Sequence, residues 1–156
     1  IPAPAFPMVT NLSKKSMNTQ LLKKLYSIHS PSGKEQNMIR LATKQDAASI
    51  LAIYAEYVLH DSATFEYEVP SLTEFEQRME VIQQVYPYLV YEEEGNILGY
   101  AYAHRYKERA AYQWDVELSV YVNKDVHGKG IGSMLYKVLF ILLKKQQVQV
   151  KKHKLC

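Results

Sequence analysis

The sequence predicts a single α/β domain, mixed in the α+β sense: a strand, two helices, a three-strand meander and a last helix in chain order. Three observations predict it. Stretches with apolar residues three and four apart alternate with stretches whose apolar residues recur at every second position. Two short boxes, Thr43-Lys44-Gln45-Asp46 and Ser71-Leu72-Thr73-Glu74, set a hydroxyl three residues before an acid, which marks two helix starts. Finally, Trp114 to Leu135, WDVELSVYVNKDVHGKGIGSML, runs from an alternating strand through a glycine loop into an apolar helix.

Each element follows from local chemistry. Met38 to Thr43 is a short apolar strand, and the first box opens a helix that buries Ile50, Leu51, Tyr54, Tyr57 and Val58 on one stripe. A loop spans His60 to Pro70. The second helix buries Leu72, Phe75, Met79 and Ile82, and Pro87, which has no N–H to donate, closes it. Tyr88 to Glu92 and Ile97 to Tyr106 form an antiparallel hairpin across Glu93 to Asn96, with Gly95-Asn96 as the tight-turn residues. On the strand from Trp114, side-chain alternation sends Trp114, Val116, Leu118, Val120 and Val122 to the core. Asp115, Glu117, Ser119 and Tyr121 lie on the other face, which is read as the one that carries chemistry. The last helix, Ile131 to about Gln147, buries Met134, Leu135, Val138, Leu139 and Leu142. The domain therefore occupies 38–147, with an extraneous segment at 1–37 that holds one short helix at Thr19 to Ile28, and a basic tail at 148–156.

Composition limits the function classes. A chain of 156 residues with 47% hydrophobic content suits one domain with a real core. The single cysteine, Cys156, permits no internal disulfide, so a reducing, cytoplasmic setting is expected. The longest apolar run, Val138 to Leu143, is too short to span a bilayer, and the first residues lack the pattern of a secretory signal. The net charge of +3 hides an asymmetry: residues 1–37 carry five lysines against Glu35, residues 144–156 carry five lysines and no acid, and the stretch between is net acidic. Basic character confined to tails argues against a nucleic-acid face, and no membrane partner is expected. His29, His60, His104, His127 and His153 lack ligand spacing, so no metal is expected.

The loop His127-Gly128-Lys129-Gly130-Ile131-Gly132-Ser133 leaves backbone N–H groups open where a helix begins, and the helix dipole adds to their pull on a phosphate. A dinucleotide fingerprint needs a further residue before its last glycine and an acid about 20 positions later; after Asp125 this chain has no acid at all. A nucleoside triphosphate loop needs Gly-Lys-Ser/Thr, and here Ser133 follows Gly132 directly. What remains resembles the Gln/Arg-x-x-Gly-x-Gly/Ala pattern with which the GNAT N-acetyltransferases hold the pyrophosphate of acetyl-CoA, with His127 at the first position. The element order is also similar to the first two-thirds of the GNAT fold. Thr64-Phe65-Glu66, Tyr100-Ala101-Tyr102-Ala103, Lys107-Glu108-Arg109-Ala110-Ala111-Tyr112 and Val116-Glu117-Leu118-Ser119-Val120-Tyr121-Val122 narrow the resemblance to the phosphinothricin acetyltransferases.

That resemblance implies an N-acetyltransferase acting on the amine of a small amino-acid-like substrate, of the phosphinothricin or methionine sulfoximine type, with acetyl-CoA as co-substrate. It implies that Phe65, Lys107, Arg109, Tyr112 and Tyr121 line the substrate site. Val120, Tyr121 and Val122, with His127, Gly128, Lys129, Gly130, Ile131, Gly132 and Ser133, would hold acetyl-CoA. Glu117 is the implied general base, since acetyl transfer needs a neutral amine and a carboxylate can take its proton directly or through water. Backbone N–H groups near Val120 to Val122 would hold the oxyanion.

In the family the chain goes on past the last helix with a strand that splays from the Trp114 strand and completes a wedge for the pantetheine arm, and then with a tyrosine-bearing helix. Here Lys144 to Cys156 reads as a lysine-rich tail, with Val148-Gln149-Val150 left open as a remnant of that strand, so the closing strands are expected to be missing, with an exposed helix side and sheet edge open to homodimer formation. Asn18 to Asn37 resembles the opening of a zinc aminopeptidase, whose ligands would lie far downstream. Two alternatives stay open: a truncated, impaired acetyl-CoA-binding relative, and an interaction protein that sets its basic tails on an acidic partner.

Overall fold

The computed structural model describes residues 37–60, 66–105, 115–145 and 149–155. The expected helix at Thr19 to Ile28 and Trp114 lie outside the described residues. Strand β1 is Asn37–Leu41; helix α1, Ala47–His60, follows a 3-10 turn at Lys44–Asp46; helix α2 is Leu72–Gln83. Strands β2, Tyr88–Glu93, β3, Asn96–Arg105, and β4, Asp115–Val122, form the meander, and helix α3, Ile131–Lys145, leads to β5, Gln149–Leu155. The five strands lie in the order β1-β2-β3-β4-β5, with every pair antiparallel except β4 and β5.

Both boxes act near helix starts. The Asp46 carboxylate accepts from the Thr43 N–H at 2.8 Å, so the first box closes a 3-10 turn that runs on into α1. Ser71 Oγ accepts from the Glu74 N–H at 3.2 Å and caps α2. Asp46 also takes two hydrogen bonds from Arg40 of β1, at 2.7 and 2.8 Å, and Arg40 Nε reaches Glu92 of β2 at 2.9 Å. Burial by itself pushes the Asp46 carboxyl up, but the bonds from Arg40 and Thr43 outweigh it and hold the group below its ordinary 3.8.

The β2–β3 hairpin turns on Glu94 and Gly95, with φ of 51° and 80°, while Glu93 pairs with Asn96. The turn thus sits one residue earlier than the sequence suggests, and Asn96 is the first residue of β3. Both faces of the sheet are covered. On one face Leu89, Ala101, Ala103, Val116, Leu118, Val120 and Val122 pack against Ile131, Leu135, Leu139, Leu142 and Leu143 of α3. Spacings of three and four make those α3 residues one stripe, and full burial of each such side chain contributes about 2 kcal/mol. Met134, expected inside, is 38% exposed because it falls beside that stripe, and Leu143 takes an inner place instead. On the other face Tyr88, Val90, Tyr100 and Tyr121 pack against Ile50, Ile53 and Tyr57 of α1 and Phe75 and Met79 of α2. Ser119 and Tyr121 are each 2% exposed, so this face is a second core over most of its length rather than an open chemical surface.

Residues 148–156, expected as a basic tail with at most a strand remnant at Val148 to Val150, carry a longer strand: Gln149–Leu155 pairs with β4 in parallel, from Asp115↔Gln149 to Val120↔Leu155. Lysine content does not prevent this, because ladder pairing uses the backbone. The register slips by one residue between Val116 and Glu117. Among the described residues no helix is long and apolar enough to cross a membrane.

Gly99 on β3 lies under α3. A Cβ there would stand 3.1 Å from Leu135 Cδ1, 3.2 Å from Ile131 Cγ2 and 3.2 Å from the Tyr121 carbonyl. Gly99→Ala should therefore destabilise the fold by about 1–3 kcal/mol, read as a lower urea midpoint at unchanged m-value. A second expectation comes from Asp46. Its carboxyl is held low in the folded state, so its contribution is present above the ordinary carboxylate range and lost as pH falls through the folded value. Asp46→Asn should cost roughly 2 kcal/mol at pH 7, with the gap to wild type closing below about pH 4; urea melts at both pH values measure it.

Candidate active site

The site begins where β4 ends. Past Val120, the last β4 residue paired with β5 among the described residues, Tyr121 and Val122 lie opposite Tyr100 and Gly99 of β3. Asn123 then donates its N–H to the Leu98 carbonyl at 2.8 Å, its side chain accepts from the Asp125 N–H at 2.9 Å, and a 3-10 turn at Lys124–Val126 carries the chain to His127. Gly128 and Gly130 take φ of 88° and 78°, a region costly for residues with a Cβ. The Gly130 carbonyl accepts from Met134 N–H at 3.1 Å, so Gly130 caps α3, and the amides of Ile131, Gly132 and Ser133 in the first turn have no acceptor within the helix. No acid sits in that first turn, while Lys144 and Lys145 occupy the last, so the helix start is left positive.

The His127 side chain turns back onto the protein. Its Nε2 lies 3.1 Å from the Val122 carbonyl oxygen and 2.9 Å from the Tyr57 hydroxyl, and Tyr57 donates to the same carbonyl at 2.5 Å. The imidazole thus ties the head of the loop to the end of β4 and to α1.

Glu117 is half-buried on the strand face shared with Ser119 and Tyr121, paired with His104 of β3 and, next to the register slip, with Lys152 of β5. Bulged pairing of this kind re-aims side chains and is common beside active sites. Ser119 pairs with Tyr102. Burial pushes the Tyr102 hydroxyl up and the Glu117 charge adds to that, while a hydrogen bond with Ser119 works the other way. Tyr102 and His104 also line an open groove of about 510 Å³ between β3 and α2, where Glu74, Gln77 and Arg78 form the opposite wall. Arg78 is bonded to Glu74 at 2.8 Å and to Glu66, whose other oxygen accepts from the Tyr54 hydroxyl at 2.9 Å.

Tyr121, expected to line the substrate site, is instead enclosed in a tyrosine layer, 5.1 Å from Tyr100 ring to ring and edge-on to Tyr54 and Tyr57 at 5.7 and 5.2 Å. Burial raises the hydroxyls of Tyr54, Tyr88 and Tyr100, so those groups of the layer are neutral at ordinary pH. Phe65, Lys107, Arg109 and Tyr112 lie outside the described residues, whereas Glu117, Val120 to Val122 and His127 to Ser133 come together on one strand and the loop after it. Sequence reading missed Tyr57, Tyr102, Ser119 and Arg78 as parts of the site. Alternation does put Tyr102 and Ser119 on the Glu117 face, but nothing local shows Tyr57 reaching a carbonyl 65 residues away. No cluster of potential metal ligands occurs among the described residues.

A family model described as an acetyltransferase (GNAT) domain matches residues 39–150. The phosphinothricin N-acetyltransferase of Alcaligenes faecalis is 42% identical over 98 residues, which make 62% of this chain and 50% of that protein. The chain spans about half the length of the curated relatives it matches. Among solved structures, a GNAT superfamily phosphinothricin acetyltransferase from Sinorhizobium meliloti in complex with acetyl-CoA is 38% identical with a TM-score of 0.67, over 70% of this chain and 60% of that one. The yncA protein of Salmonella typhimurium, solved with its cofactor acetyl-CoA, is 32% identical with a TM-score of 0.71, over 73% and 66% of the two chains.

Proposed function

The chain belongs to the GNAT acetyltransferase family, and from that premise we propose that it transfers the acetyl group of acetyl-CoA to the amine of a small amino-acid-like substrate, of the phosphinothricin or methionine sulfoximine type. The observation that carries the proposal is the continuity of β4, glycine loop and α3: Glu117 and the anion cradle stand on one uninterrupted stretch of chain. The amides of Ile131, Gly132 and Ser133, the open turn at Gly128 and Gly130, and the acid-free start of α3 fit a pyrophosphate. The β4 backbone at Tyr121 and Val122, past the last β5 pair among the described residues, fits an extended pantetheine arm in this reading.

Acetyl-CoA supplies an activated thioester. The amine nitrogen attacks its carbonyl carbon, the new C–N bond forms as the C–S bond breaks, and the nitrogen must shed a proton. Glu117 takes that proton, directly or through water. Backbone N–H groups near Val120 to Val122 stabilise the oxyanion as it develops. The groove between α2 and β3 suits a zwitterionic substrate because Arg78, Glu74 and His104 line it together. Lys107, Arg109, Tyr112 and Phe65 complete the amine site in this reading, since a guanidinium holds a carboxylate or phosphinate bidentately. The cytoplasmic setting expected from the single cysteine and a homodimer are parts of the same proposal.

Calorimetric titration should give saturable acetyl-CoA binding, and thiol release should follow addition of phosphinothricin; absence of heat would sink the proposal. Glu117→Gln should lower kcat by about 100-fold or more with acetyl-CoA affinity kept, and turnover undiminished by that change would remove Glu117 as the base. Gly130→Ala forces a Cβ into the left-handed region at a cost of about 1 kcal/mol. Acetyl-CoA affinity should drop several-fold in that variant while the KM for the amine holds.

A further inference from the structure

We propose that Tyr57 is a positioning residue for the cofactor loop: through the Val122 carbonyl and His127 it fixes the head of the loop and sets the neutral imidazole with its proton on Nε2. The inference rests on the acetyl-CoA reading above.

Tyr57 is 2% exposed, and its ring packs edge-on against Tyr121 while Lys124 Nζ stands 4.9 Å above it. Its hydroxyl, His127 Nε2 and the Val122 carbonyl oxygen form a triangle with sides of 2.5, 2.9 and 3.1 Å. A carbonyl oxygen only accepts, and a tyrosine hydroxyl has one proton to give. If Tyr57 gave that proton to Nε2, the carbonyl oxygen would face two lone pairs, one at 2.5 Å and one at 3.1 Å. The arrangement is satisfied only when Tyr57 donates to Val122 and Nε2 carries its own hydrogen for the Tyr57 and Val122 oxygens. In that tautomer Nδ1 is bare, so the ring holds the loop through Nε2 and the amides of the loop are left to meet an anion.

One consequence follows. Loss of the Tyr57 hydroxyl frees the Val122 carbonyl and the imidazole together and loosens the loop, while the ring keeps its place beside Tyr121 in the tyrosine layer.

The test combines nitrogen NMR of histidine-labelled protein with calorimetry. The neutral His127 ring should show the Nε2–H pattern; an Nδ1–H pattern would overturn the proposal. Tyr57→Phe, which keeps the ring, should shift that tautomer toward the free-histidine mixture. It should also weaken acetyl-CoA binding by roughly 5-fold and leave the KM for the amine within about twofold. Unchanged affinity, or an equal loss on the amine side, would overturn the positioning role. Failure of acetyl-CoA to bind at all would overturn the cofactor reading, and the tautomer spectrum decides the latch separately.

Discussion

The close seat of the start of α3 on the sheet depends on one residue that has no side chain. Ile131 and Leu135 descend so far onto Gly99 that a Cβ there would stand 3.1–3.2 Å from their side chains, tighter than ordinary contact, and the Tyr121 carbonyl bounds the same space. With α3 seated there, its first turn stands beside the end of β4, and the loop between them must close a short gap. Gly128 and Gly130 in the left-handed region make that closure. The anion cradle is thus a by-product of packing: an apolar stripe pulls the helix onto the sheet, and the helix brings its unpaired amides with it.

The opposite face solves a different problem. Six aromatic rings, Tyr54, Tyr57, Tyr88, Tyr100, Tyr102 and Tyr121, form a connected layer whose contacts run from 5.0 to 6.2 Å between centroids. Each ring brings a hydroxyl that is costly to bury unpaired. Where the partners are clear they lie at the margins: Val122 for Tyr57, Glu66 for Tyr54 and Ser119 for Tyr102. The polar ends of the layer therefore collect around β4. Structural hydrogen bonding and the candidate chemistry share one strand for that reason.

Much of this was legible in the sequence. The period-two pattern from Val116 to Val122 gave the buried face of β4, and the two boxes found the starts of both early helices. Glycine spacing placed the loop against α3. Two errors share a cause, which is that local patterns report what a side chain prefers and not what covers it. Tyr121 and Ser119 alternate with apolar residues and so read as an open face, yet α1 and the tyrosine layer close over them. Gln149–Leu155 is rich in lysine and reads as solvated, but parallel pairing asks only for backbone. Long-range polar contacts, such as Arg40 with Glu92 or Tyr57 with Val122, left no local trace at all.

The two halves of the site differ in how they tolerate sequence change. A cradle made of main-chain amides needs certain φ values and a seated helix, and it is indifferent to most side chains. That explains why a histidine can stand at the head of the loop and bond to Tyr57 and Val122 without disturbing the turn. In the proposed reaction the amine half has no such freedom, because proton removal and recognition of a small zwitterion would depend on named groups, Glu117 and the charged wall at Arg78 and Glu74, at fixed positions. On that proposal a change of substrate would come from the groups around Glu117, while the β4-loop-α3 unit persists.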